Sequence, residues 1–225
     1  GTFMMGSPDS EPDRDPSEGP EHQVTITRPF YMGKYEVTQA QWQAVMGSNP
    51  SHFQGDNLPV EMVSWNDCQT FIQQLNQLGQ GTFRLPTEAE WECACRAGTT
   101  WRFSHGNVLE CGDECESCTA HDLFMWWCGN SGNHTHEVGS KLPNPWGLYD
   151  MHGNVWELCN DWWEEPWNCM IRINPTGVNS GSFRVARGGS LTDDAGYCRS
   201  AYRLTVEPVY RDGNVGLRIV VSRTQ

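Results

Sequence analysis

With 28 acidic against 15 basic side chains in 225 residues, the chain carries a formal charge of -13, which repels phosphate backbones and anionic membrane surfaces and argues against nucleic acid as a partner. No apolar run approaches the roughly 20 residues needed to span a bilayer, so membrane insertion is not expected. The length suits one full-sized domain with a real core, and eleven Trp among 23 Gly and 13 Pro describe large aromatic plates set between many turns.

In chain order, residues 6–21 are rich in Pro, Ser, Asp and Glu and read as a solvated loop. Residues 23–27 alternate polar side chains with Val24 and Ile26, and residues 30–37 continue with β-formers, so both segments are predicted strands. Thr38 followed by Gln41 is a capping box for a short helix carrying Trp42, Val45 and Met46, which Gly47 ends. Ser64 caps a second helix whose Trp65, Cys68, Phe71, Ile72 and Leu75 form a buried stripe. Thr87 and Glu90 announce a third helix closing at Gly98. From residue 99 to residue 179 the periodicity fades, with residues 145–157 as the best ordered part, and residues 183–187 and 217–221 read as closing core strands. Capped helices among strands predict an α+β class.

Candidate metal and staple positions fall in the irregular middle. Cys111, Cys115, Cys118 and Cys128 have the crowding of a four-thiolate zinc site or of two disulfides, with free thiols as the third option, and a loop this irregular gains most from a staple. Cys93 and Cys95 point to different faces of one helix, and Cys68, Cys95, Cys159 and Cys198 read as small buried residues. His105, His121, His134, His136 and His152 show no ligand spacing. The side-chain oxygens of Asn154 and Glu157, with backbone carbonyls of their turn, suit calcium; the alternative is a buried turn with Glu157 paired to an arginine.

Several ordered motifs carry a family resemblance. Gly1-Thr-Phe-Met-Met-Gly-Ser7, Tyr35-Glu-Val-Thr-Gln-Ala-Gln-Trp42, Pro59-Val-Glu-Met-Val-Ser-Trp65, Arg84-Leu-Pro-Thr-Glu-Ala-Glu-Trp91, Gly147-Leu-Tyr-Asp-Met-His-Gly-Asn-Val-Trp-Glu157 and Arg187-Gly-Gly-Ser190 together resemble the formylglycine-generating enzyme, or sulfatase-modifying factor, family. The resemblance spans almost the whole chain and implies a C-type-lectin-like fold with little regular structure, and a calcium at the Asn154 to Glu157 turn. It also implies, for the family's oxidases, a copper ion held by two thiols five residues apart. Here Cys198 stands at the second position and Asp193 at the first, and a carboxylate is a poor substitute for thiolate on Cu(I), so oxidase activity is not expected.

Residues 187–218 look most like another branch of the fold, the variable proteins diversified by retroelements. There, adenines of a template are randomised, so that Asn codons become many others but not Lys, Glu, Gln, Met or Trp. Thr192, Asp193, Asp194, Tyr197, Tyr202, Leu204, Thr205, Val206, Tyr210, Asp212, Gly213 and Asn214 obey that rule and are the predicted ligand-binding positions. Ala195, Cys198, Arg199, Ser200, Ala201, Arg203, Pro208, Arg211, Gly216, Leu217 and Arg218 lie between them as fixed framework. The competing reading is an ordinary strand with Tyr202, Leu204 and Val206 on one face and Arg203 and Thr205 on the other.

The sequence thus predicts a single domain over residues 1–225, of C-type-lectin-like α+β fold, with its variable region at 187–218. The expected function is a non-catalytic ligand-binding protein, not an enzyme, with a macromolecular and most readily protein ligand. A copper-dependent oxidase or an accessory domain of the same family is the alternative. No cofactor is required, calcium and structural zinc being optional. The absence of an initiator Met before Gly1 fits removal of an upstream segment, with a lean toward cell-surface or virion display. Oligomeric state is left open.

Overall fold

The computed structural model describes residues 1–109, 115–165 and 171–222. Ten strands are present among them: β1 (Thr2–Met5), β2 (His22–Thr25), β3 (Phe30–Met32), β4 (Phe83–Arg84), β5 (Trp156–Trp162), β6 (Arg172–Ile173), β7 (Arg184–Arg187), β8 (Arg203–Val206), β9 (Val215–Gly216) and β10 (Val220–Ser222). Four α-helices accompany them: α1 (Gln39–Met46), α2 (Trp65–Gln77), α3 (Glu88–Arg96) and the single turn α4 (Thr119–Asp122). The strands form three small sheets, ordered β1-β2-β6, β3-β10-β4 and β8-β7-β5-β9.

The three predicted helices begin at their capping boxes. Thr38, Ser64 and Thr87 each accept a backbone N–H from the residue three ahead, and Gln41, Asp67 and Glu90 reach back to the cap. That reciprocal pairing satisfies two of the four orphan donors at each helix start. Gly47 ends α1 in the left-handed region at φ 78°, a conformation that favours glycine. The end of α3 differs from expectation by a residue, because Ala97 takes the left-handed cap position at φ 48° and Gly98 only follows it.

The inner strands β7 and β5 of the four-stranded sheet are covered on both faces. On one side α1 and α2 pack Trp42, Phe71 and Ile72 against Trp156, Leu158 and Ala186, with Trp42 and Phe71 stacked at 4.8 Å between ring centres. On the other, α3 sets Trp91 and Cys95 against Cys159 and Val185. A strand covered on both faces loses its polar alternation, which is why β5, inside the stretch predicted to be irregular, carries no period-two signal in Trp-Glu-Leu-Cys-Asn-Asp-Trp. The predicted 30–37 strand keeps regular pairing only at β3, although Val37 still donates its N–H to Leu217 at 2.9 Å. Of the predicted 217–221 strand only residues 220–221 pair, at the start of β10, while β9 precedes it and buried Leu217 and Arg218 lie in the gap between the two.

Candidate binding surface

The segment between β7 and β8, then β8 itself and the loop leading into β9 carry the region singled out in the sequence. Its framework is anchored inward by arginines. Arg199 donates to both carboxylate oxygens of Glu18, at 2.8 and 2.6 Å, and to Glu11 at 2.6 Å. Arg203 grips Glu88 at 2.5 and 2.9 Å and the Ser17 carbonyl at 2.9 Å. Arg187 pairs with Glu92, and Arg218 pairs with Glu157 while also donating to the Gly33 and Tyr149 carbonyls. All four arginines are buried, and each meets a carboxylate distant from it in the chain, Arg187 and Arg203 sharing Glu88 on α3. Buried charges tolerate such a setting only when paired and hydrogen-bonded. Exposed Arg211 ties the last loop to α2 through Asp67 at 2.7 and 2.9 Å.

Between these anchors, Ala195, Cys198, Ser200, Ala201 and Leu217 are buried as well. Gly189 holds φ at 72°, and any side chain there would run into Cys198, so the turn after β7 requires glycine.

Eleven of the twelve predicted contact positions reach the surface: Thr192, Tyr197, Thr205 and Tyr210 are exposed, and Asp193, Asp194, Tyr202, Leu204, Asp212, Gly213 and Asn214 are half-buried. They are linked. Tyr197 meets Tyr202 edge-on at 4.8 Å between ring centres, and Tyr202 lies 6.0 Å from Trp156, whose indole acts on the Asp193 carboxyl. Ser190 donates to Asp193, and the amide of Asn214 reaches the Ser190 and Thr192 hydroxyls, each at 3.3 Å. Tyr210 donates to Asp212 at 2.7 Å.

Val206 is a correction. It is buried in the main core, and Tyr202 and Leu204 pack on that same core. The strand reading therefore holds for β8: Val206 and Leu204 face inward, Arg203 is spent on Glu88, and Thr205 stays in solvent. Codon permission says nothing about burial, so a permitted residue can still be a core residue.

Residues that the sequence reasoning passed over complete the surface. Trp156 is the buried floor joining Tyr202 to Asp193. His52, Phe53 and Met62 wall a pocket of about 320 Å³ whose other side is Thr192, Asp212, Gly213 and Asn214. The available signal was Glu61, a carboxylate between Val60 and Val63 in an otherwise apolar run, which is fully buried.

The metal expectations do not survive the geometry. Cys115 and Cys128 are joined by a disulfide with 5.1 Å between their Cα atoms, and Cys118 is also disulfide-bonded, while Cys111 lies outside the described residues. Sulfurs in disulfides offer no thiolates, so the zinc alternative gives way to the staple. The Asn154 side-chain oxygen accepts from the His136 N–H at 3.0 Å, and its amide donates to Glu36 at 2.9 Å. Glu157 receives the Arg218 guanidinium and the Trp91 indole, the latter at 2.7 Å. A carboxylate already neutralised by a buried guanidinium does not fit a calcium cage, and the Glu157–arginine alternative replaces it. The copper pair fares similarly: Cys198 is buried and Asp193 is a hard oxygen donor bound to Ser190, which does not fit a two-thiolate Cu(I) site. Among the described residues no group of three or more His, Cys, Asp and Glu is placed to hold a metal.

Three of the scattered histidines nevertheless converge. His105 lies 3.3 Å from His121, nitrogen to nitrogen, and both it and His152 flank Phe103. Burial pushes His105 down to about 2 and His152 down to about 4, so both rings are neutral at ordinary pH. His134 and His136 sit apart from them, ring centres 4.3 Å from each other, with His136 stacked on Trp126.

Small sheets, long ordered loops and a loop-borne surface held by inward arginines define a C-type-lectin-like protein. Residues 1–223 match the sulfatase-modifying factor enzyme 1-like domain, and the chain belongs to that family. The chain is 37% identical over 180 residues to a formylglycine-generating enzyme of Thermomonospora curvata, covering 75% of this chain and 55% of that protein. It is 34% identical over 209 residues to the formylglycine-generating enzyme of Mus musculus, covering 88% of this chain and 52% of that one. The chain thus spans about half the length of these curated relatives. Among solved structures it is similar to Treponema denticola variable protein 1, with a TM-score of 0.87 and 31% identity, covering 99% of this chain and 92% of that one. PvdO from Pseudomonas aeruginosa follows with a TM-score of 0.82, 26% identity, and the same 99% and 92% coverage. The relatives correct the expectation that the chain stands outside the enzymes, since those named formylglycine-generating enzyme are 30 to 37% identical to it.

Proposed function

We propose that the chain is a ligand-binding member of the sulfatase-modifying factor family, which presents a diversified C-terminal surface to a macromolecular ligand, a protein in the first instance. One observation carries the reading. Eleven permitted positions reach solvent while the arginine and small-residue framework between them is buried, so side chains can change without disturbing what holds the loops. The similarity to a variable protein along 99% of the chain supports it. Tyr197, Tyr202 and Tyr210 supply amphipathic area at low entropic cost, and Asp, Thr, Asn and Gly supply adaptable polar contacts, the composition logic of antibody loops.

The test is the DNA around the coding region. The reading expects a near-duplicate of the 3′ end that differs only at adenines, beside a reverse transcriptase, and gene copies varying at the named positions. A locus without either, and without such variation, contradicts it.

A second reading follows from the relatives named formylglycine-generating enzyme: oxidation of a cysteine in a protein substrate, resting on Cys198. Oxygen-consuming conversion of a cysteine-containing peptide by the purified chain, abolished by Cys198→Ala, would support it.

A further inference from the structure

The pocket beside the last variable loop has a buried acid behind it. Glu61 accepts the Phe53 N–H at 2.8 Å through Oε1, whereas among the described residues Oε2 has no hydrogen-bond partner. The side chain is fully buried, in a position where an unpartnered carboxyl oxygen is costly. Gly213 stands in front of it. A Cβ on Gly213 would lie 3.7 Å from that oxygen and 3.8 Å from the Phe53 ring, in ordinary contact with both, so no side chain separates Glu61 from the pocket at this position. Asp212 lines the same pocket and is a second acid close enough to act on Glu61. At about 320 Å³ the cavity is in the size range of ligand sites.

We infer that this pocket takes a lysine or arginine side chain of a protein ligand, with the cationic head between Asp212 and Gly213, the aliphatic stem along Phe53, and Glu61 as the second acid. The inference rests on the display reading for its ligand, and a chain of formal charge -13 favours a basic partner. An aromatic wall with one carboxyl on it and a second buried directly behind Gly213 is complementary to a desolvated cation and has little to offer an anion. Burial, and after it the neighbouring Asp212, pushes the Glu61 carboxyl up to about 7, a position that an arriving cation would relieve.

The purified full chain is titrated with N-acetyl-lysine methylamide and, separately, N-acetyl-norleucine methylamide, following backbone amide shifts by NMR. The lysine probe should saturate with a Kd of about 1 mM and move the Asp212 and Gly213 signals, while the norleucine probe leaves them in place. Glu61→Gln should weaken lysine binding about tenfold. Gly213→Val, which fills the pocket mouth from a surface loop, should abolish it with the melting temperature unchanged; this variant carries the test should Glu61→Gln not fold. Equal binding of norleucine, or lysine binding unaltered in either variant, overturns the inference. Adenine-restricted variation at the locus without a lysine response sinks this inference alone. A lysine response at a locus without such variation sinks the display reading alone.

Discussion

Arg199 and Glu18 lie 181 positions apart in the chain and meet as a two-pronged buried ion pair, with nitrogen-to-oxygen distances of 2.8 and 2.6 Å. The pair fixes the variable region to the N-terminal loop. Removing Arg199 leaves the Glu18 and Glu11 carboxylates without their buried cation, which costs about 3–5 kcal/mol. Arg199→Met is therefore expected to lower the unfolding free energy by that amount in a urea titration, and Glu18→Gln by less, because Arg199 keeps Glu11. The double variant should lose less than the sum, because Glu18 no longer needs the missing cation and only Glu11 is left without it.

Surface positions behave differently. Tyr197→Ser, Thr205→Asn and Tyr210→Asn alter exposed side chains, and each should shift stability by no more than about 0.5 kcal/mol. Val206→Asn is permitted by the same codon rule, yet it puts an amide into the main core. Its expected cost is about 1–3 kcal/mol for the unsatisfied polar group alone. Equal melting temperatures for Val206→Asn and Thr205→Asn would contradict the assignment of Val206 to the core.

Glu61 links stability to pH. Its carboxyl is raised from 4.5 to about 7 by burial, then by Asp212, against the lowering effect of the Phe53 backbone donor. The folded state thus holds the proton more tightly than the unfolded chain, and the contribution is full below about pH 4.5 and is lost as pH rises through 7. Other buried carboxyls, Asp161 raised to about 8 among them, act in the same direction. The comparison that isolates Glu61 is wild type against Glu61→Gln, whose stability difference should shift in favour of the variant between pH 5 and pH 8. A difference independent of pH would show that the carboxyl is not raised.

The disulfide between Cys115 and Cys128 closes a loop of 13 residues in the long irregular segment. Reduction should cost about 3 kcal/mol by loop entropy. Under non-reducing conditions Cys115 and Cys128 should resist maleimide labelling, and a zinc chelator should leave the melting temperature unchanged. Chelator-sensitive melting together with labelled thiols would restore the zinc alternative.

Local chemistry was legible in the sequence, and long-range partnership was not. Thr38, Ser64 and Thr87 each state a helix start within four residues, and all three helices begin there. Glu157 and Arg218 were both visible as residues, but their pairing spans 61 positions and leaves no local mark. Strand β5 escaped notice because helices cover both of its faces, and Val206 was misplaced because the coding rule carries no information on burial. The histidines around Phe103 come from three separate loops or turns, so spacing could not gather them. Cys115 and Cys128, by contrast, were foreseen as stapled because an irregular loop needs one, with the choice of bond left to the coordinates.

The most direct measurement is proteolytic stability across a library in which Thr192, Asp194, Tyr197, Tyr202, Thr205, Tyr210, Asp212, Gly213 and Asn214 are randomised together by adenine-permitted codons. The account predicts that most members resist protease as the parent does, whereas a matched library at Arg199, Arg203, Ala201 and Arg218 yields almost none that do. Equal losses in the two libraries would contradict it, because the surface would then be part of what holds the fold.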